Sequence, residues 1–287
     1  DVIHAHDTYG LMVQGMGVPR VFTIHGFIHG DTLVSGERFA RLRSWIWRRV
    51  ETAGWADQPH IISISPYVRE RLRGIATGVI HDIDNPIARR FFDVARAQRR
   101  LTIFSAAVVT PRKNTLALVD AVGELATGGI DCELRVAGSL GDETYVRQVR
   151  QRIQQGELER RVSLLGKINT EQVLRELATA SVFTLVSLEE NSPMGIEEAM
   201  AAGVPVVTSN RCGMPYMVRH GESGFLVDPH DPHDIARRLR QVLESDELRR
   251  SMGTKGKEIA LDRFHPAKVA ARTREVYVQA IEDFHRK

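Results

Sequence analysis

Glu190-Asn-Ser-Pro-Met-Gly-Ile-Glu-Glu198-Ala-Met-Ala-Ala-Gly-Val-Pro-Val-Val207, read with the run Ser181-Val-Phe-Thr-Leu-Val-Ser-Leu188 before it, decides the fold. The run is apolar and β-branched, as a buried strand is. Asn191, Ser192 and Pro193 then supply N-cap and first-turn residue types, so a helix is expected to open near Pro193. The unpaired N–H groups of Met194 and Gly195, with the positive end of the helix dipole, suit a diphosphate. Gly195 lets a ligand approach the backbone closely. Glu190 and Glu198 stand on either side of that helix start, which makes it a phosphate-and-sugar site by its chemistry. Acids near a helix N-terminus also stabilise the macrodipole alone, and the two glutamates by themselves leave that plainer reading open.

Working outward, strand signals recur at 1–5, 20–24, 60–64, 101–108, 133–137, 162–165, 182–187, 204–208 and 224–227. Helical signals fall between most of them, which predicts parallel, doubly wound α/β sheets. The segment 85–100 contains a proline and several arginines without strand periodicity and is expected to link two domains, 1–86 and 87–287.

With 287 residues, of which 43% are hydrophobic, the chain can bury two ordinary cores. A formal net charge of +3 calls for no nucleic acid. Cys132 and Cys212 are the only cysteines, so no disulfide framework or zinc cluster is implied and a reducing compartment is expected. No apolar run is long enough to span a bilayer, and no signal peptide is recognisable; without a starting methionine, a targeting segment could have been removed.

The pattern Glu190, seven residues, then Glu198-Ala-Met-Ala-x-Gly-x-Pro-Val-Val resembles the signature of the retaining glycosyltransferases of family 4, which have the GT-B fold of two Rossmann-like domains. The resemblance implies that Glu190 contacts the donor sugar and Glu198 the ribose of the nucleotide. Asn191, Ser192, Pro193, Met194 and Gly195 then join the donor site. Glu189 and Glu197 are out of register with the motif and are assigned to the surface. Thr110-Pro-Arg-Lys-Asn-Thr-Leu resembles the family's phosphate-binding loop. Arg112 and Lys113 oppose the dipole of a helix expected at 115–126 and make best sense facing an anion. Lys113 matches the family lysine, but Val108 stands where the partner arginine is expected, unless Arg112 replaces it. Two solvated loop cations are the plainer alternative. Arg161-Val-Ser-Leu-Leu-Gly166-Lys-Ile-Asn-Thr resembles the strand and loop flanking the base, which points to Lys167 and Ile168. The segment after the glutamate motif has Tyr216 where a glutamate is common.

Thr23-Ile-His25-Gly26 ends a predicted strand and places His25 outside the carboxyl ends of a sheet. The resemblance gives His25 a hydrogen bond to the donor sugar; a structural histidine is the competing reading. His4 with His6 on one strand face, or His25 with His29, could suggest a metal, but no ligand set completes one and the family needs none. Asp1-Val-Ile-His-Ala-His-Asp resembles a mid-domain strand of the family's N-terminal domain, so the first part of that domain is expected to be absent, with a partner chain or lost segment covering the open sheet.

In 38–55, Phe39, Leu42, Ile46, Val50 and Ala53 recur at helical spacing, so this stripe is expected to pack inward with the arginines mostly outside. The choice lies between a solvated helix and one attracted to an anionic membrane surface.

The resemblance implies transfer of a hexose from a nucleotide diphosphate sugar, a substrate rather than a cofactor, to a glycan or lipid-linked acceptor. The anomeric configuration is retained, no metal is used, and the leaving diphosphate takes the acceptor proton. Cell-surface glycan or glycolipid synthesis on the cytoplasmic face of a membrane is the expected setting. A non-catalytic nucleotide-sugar-binding fragment or scaffold is the alternative.

Overall fold

A computed structural model describes residues 1–35, 38–97 and 101–286. The chain divides into two compact units: Asp1–Pro86 with Glu190–Ser192 and Arg263–Lys287, and Ile87–Glu189 with Pro193–Asp262. The three residues 98–100 of the expected linker lie outside the described residues. The terminal residues 263–287, grouped from sequence with the second domain, fall in the first unit.

The first unit contains a four-stranded parallel sheet in the order β1 (Ile3–His6), β2 (Arg20–Ile24), β3 (His60–Ser63) and β4 (Val79–Asp82). Helices α1 (Gly10–Val13), α2 (Ile28–Leu33), α3 (Ala40–Ala56) and α4 (Pro66–Arg71) connect them. One face of the sheet buries Phe22, Ile24, Phe27, Trp55, Ile61 and Leu72 in a common core. The other face is covered by the last helix of the chain, α11 (Pro266–His285), whose Val269, Val276 and Ala280 pack with Val21, Ile62 and Ile83. Parallel strands need both faces covered, so this helix completes the unit. Arg263, just before it, is paired with Asp84 at 2.6 Å.

The second unit is a six-stranded sheet, also wholly parallel among its described pairs, in the order β10-β9-β8-β5-β6-β7. Its strands are β5 (Thr102–Ala106), β6 (Glu133–Ala137), β7 (Val162–Gly166), β8 (Val182–Leu185), β9 (Val206–Ser209) and β10 (Gly224–Val227). Its helices are α5 (Thr115–Thr127), α6 (Glu143–Gln155), α7 (Thr170–Thr179), α8 (Met194–Ala201), α9 (Pro232–Glu244) and α10 (Asp246–Arg263). Residues of β8 and β9 are buried throughout, which is why both read as continuous apolar or β-branched runs. Cys132 is buried one residue before β6. From β5 the chain steps to β6 and β7 on one side, then returns to place β8, β9 and β10 on the other. The strand order therefore reverses between β5 and β8, and in open α/β sheets the crevice outside the carboxyl ends at such a point is where ligands bind.

Candidate functional site

The loops leaving β5 and β8 at this reversal carry the residues singled out from the sequence. After β5, Pro111–Lys113 forms a single 3-10 turn, and Asn114 follows with φ of 56°, in the left-handed region. Asn114 holds that conformation because its Nδ2 donates to the carbonyls of Val186, at 3.3 Å, and Pro229, at 2.7 Å. One side chain thus ties the end of β8 and the segment after β10 to the start of α5. Arg112 and Lys113 are half-buried on this turn. Arg112 Nη1 donates to the Glu189 carbonyl at 2.9 Å, while its own carbonyl accepts from Leu188 N–H at 2.8 Å. The two loops are stitched together by the residue expected to serve the diphosphate. Val108 is exposed at 40%, so the position where an arginine was expected opens to solvent.

Helix α8 begins at Met194, with Pro193 as its N-cap residue rather than its first turn. Pro193 itself makes no side-chain capping bond, and Met194 is half exposed. Gly195 also has a packing reason for being glycine. A Cβ there would lie 3.1 Å from the Phe183 ring and 3.5 Å from the Ala106 carbonyl, so the missing side chain lets α8 sit close on β5 and β8.

Glu198 is half-buried, and burial pushes its carboxyl up to about 7 while the Arg90 guanidinium pulls the other way. A buried carboxyl held near neutrality marks Glu198 as a candidate functional group. Glu197 is completely buried, which overturns its assignment to the surface: the helical period turns it inward with Ile196 and Met200. Glu189 is only half-buried but is likewise engaged, since its Oε2 accepts from Cys212 Sγ at 3.0 Å. On the far strand of the sheet, Lys167 is exposed and Ile168 half-buried in the loop leaving β7. Asn169 and Gln172 close this loop with a capping box that starts α7.

In the first unit, Glu190, Asn191 and Ser192 are all at least nine-tenths buried, and Asn191 Nδ2 donates to the His25 carbonyl at 2.9 Å. His25 is exposed at the carboxyl end of β2, as expected. Its N–H and that of Gly26 both donate to Asp7 Oδ1, at 2.7 and 3.2 Å. Its ring stacks on His6, with His6 Nδ1 and His25 Nε2 3.0 Å apart. Burial and the neighbouring His25 hold His6 below its ordinary range. His4 stacks on the other side of His6 and bonds Tyr277 and Thr23; burial, with His6 and His25, lowers it to about 4. The sequence reading missed Asp7 and the role of His6, although His-Asp at the end of one strand beside His-Gly at the end of the next was the available signal.

His29 is separate from His25. Its Nδ1 bonds Glu51 at 2.7 Å and its Nε2 faces Arg71 at 2.9 Å, so it is a buried structural histidine. Among the described residues, no group of three or more histidine, cysteine or acidic side chains is placed to hold a metal ion.

A family model for the glycosyl transferases group 1 matches residues 87–259, and one for Glycosyltransferase Family 4 matches residues 1–91. The chain belongs to this glycosyltransferase family. At 28% identity it aligns with the MMP alpha-(1->4)-mannosyltransferase of Mycolicibacterium hassiacum, over 98% of this chain and 71% of that one. It spans only 37% of the N-acetyl-alpha-D-glucosaminyl L-malate synthase of Bacillus anthracis, to which it is 29% identical over 50% of its own length. The fold is that of a sucrose-phosphate synthase from Thermosynechococcus elongatus, with a TM-score of 0.86 at 22% identity, covering 98% of this chain and 74% of that one. Anabaena HepE, solved in complex with UDP-glucose, superposes with a TM-score of 0.82 at 20% identity, covering 97% and 79%. The expected GT-B architecture of two Rossmann-like sheets, the first smaller, is therefore the fold of this family member. Among the described residues, no helix is long and apolar enough to cross a membrane.

Proposed function

We propose that the chain is a retaining hexosyltransferase that takes its sugar from a nucleotide diphosphate donor, without a metal, and serves cell-surface glycan or glycolipid synthesis. The observation that carries this reading is that the loop and helix following β8, with the half-buried Glu198 in the middle of α8, coincide with the strand-order reversal. In this reading Glu198 accepts from the ribose hydroxyls, and Glu190 and His25 orient the sugar. Lys113, Arg112 and the N–H groups of Met194 and Gly195 stabilise charge developing on the diphosphate, while Lys167 and Ile168 flank the base. The diphosphate oxygen that leaves the anomeric carbon takes the proton from the acceptor hydroxyl, and the new bond forms on the face the leaving group vacates. The relation to a mannosyltransferase and to a protein solved with UDP-glucose supports a hexose donor.

Calorimetric titration with UDP, GDP and ADP and their hexose conjugates, without metal, tests this assignment. Saturable binding to one nucleotide, lost in Glu198→Ala, is the expected result; equal affinity in the two proteins would overturn the role of Glu198. The exposed Val108 favours a second reading, a nucleotide-sugar-binding protein that does not transfer. Binding with no turnover of the sugar donor, with acceptors supplied, would support it.

A further inference from the structure

On α3, Trp55 excepted, the large apolar residues are not the ones that are buried. The inward face presents Ser44, Glu51, Gly54 and Trp55. Ser44 Oγ donates to the His29 carbonyl at 2.7 Å, and the Glu51 carboxylate accepts from the N–H groups of Ile28, at 2.7 Å, and His29, at 3.2 Å. The helix is thus fixed by polar bonds to the first turn of α2. This overturns the inward stripe expected from the sequence, because Phe39, Leu42, Trp45 and Ile46 are 71, 57, 53 and 48% exposed. Leu42, Trp45 and Ile46, three and four residues apart, share one outer face of α3, and Phe39 stands just before its first turn.

Cations share that face. The Arg49 guanidinium lies over the Trp45 ring at 4.2 Å and that of Arg38 over Phe39 at 5.7 Å, while Arg41 and Arg48 are exposed beside them. Glu51 is the only acid in 38–55 and faces inward, so the outward charges contributed by this stretch are all positive. We propose that the outer face of α3 lies in the interfacial layer of a bilayer containing anionic phospholipid. Aromatic and aliphatic side chains would enter the headgroup boundary while the arginine heads stay among the lipid phosphates. A second copy of this chain fits the face poorly, because a two-fold contact would bring like-charged arginine clusters together. Attachment to lipid goes beyond the transfer reading and does not depend on it.

The test is co-sedimentation of the chain with phosphatidylcholine vesicles, with and without phosphatidylglycerol, in the absence of nucleotide. The expected result is sedimentation with the anionic vesicles only, weakened by salt. Two double variants, Trp45→Ser with Ile46→Ser and Arg41→Glu with Arg48→Glu, are expected to lower the partition roughly tenfold or more while keeping the wild-type melting temperature. Wild-type protein left in the supernatant would overturn the proposal. So would equal binding to neutral vesicles, folded variants that bind like wild type, or a dimer in solution that Trp45→Ser dissociates. Nucleotide titration without vesicles remains a separate readout, so failure of one assignment is distinguishable from failure of the other.

Discussion

Glu198 joins burial and charge in a single carboxyl group. Burial pushes it up to about 7, well above the usual carboxylate range, so the folded state holds the proton more tightly than the unfolded chain does. The stabilising contribution of the protonated form is complete below the unfolded value and is lost as pH rises through about 7. Ionisation then costs the folded state about 3 kcal/mol at the alkaline end. Glu198→Gln, which stays neutral, is expected to melt close to wild type near pH 5 and clearly above it near pH 8. Thermal melts across that range, without nucleotide, check this; a difference independent of pH would mean that the carboxyl is not held protonated. The sequence motif identified this residue, but its poise near neutrality depends on the packing of α8 and on Arg90, more than a hundred positions away. Motif register likewise misplaced Glu197, because register says which residues match a pattern and not which way a helix turns them.

At the scale of elements, local pattern was legible where at least part of a strand is buried. Strands β2, β6 and β10 have the bounds expected from alternation and β-branching. Strand β4 was missed: Val79–Asp82 lies at the edge of its sheet with no fully buried residue, so it carries no apolar period. Helix α3 inverted the usual relation between apolar period and burial, since polar bonds to α2 fix its inward face. The fit of α8 on the sheet was also unreadable, and Gly195→Ala probes it. Alanine gains about 1 kcal/mol in helix propensity over glycine. Against that, its Cβ would stand 3.1 Å from a Phe183 ring that is 1% exposed and packed edge-on against Phe104, so the ring has little room to yield. Overpacking of about 1–3 kcal/mol outweighs the gain. Urea denaturation is expected to show a lower midpoint with an unchanged slope; a raised midpoint would show that the ring makes room.

At the scale of the whole molecule, the number of sheets and their parallel character followed from the alternation of strands and helices. The destination of the last helix did not. The period of α11 marks an apolar stripe but cannot say which core receives it, and its partners Val21 and Ile62 lie more than two hundred positions earlier. Removing 264–287 should therefore strip the cover from the first sheet. Hydrogen exchange is expected to show lost protection in β2 and β3, with protection of the second sheet retained. Protection unchanged in β2 would mean that α11 contributes nothing to the first unit's stability.

The same placement of α11 sets an order for synthesis on the ribosome. Domains commonly fold as they emerge, N-terminal first. Here β2 and β3 leave the exit tunnel with one apolar face uncovered, and they wait while the whole second unit is translated before their cover arrives. The unit made first is the last to be finished, so nascent chains stalled anywhere within the second unit carry an unfinished apolar sheet, a natural substrate for chaperones.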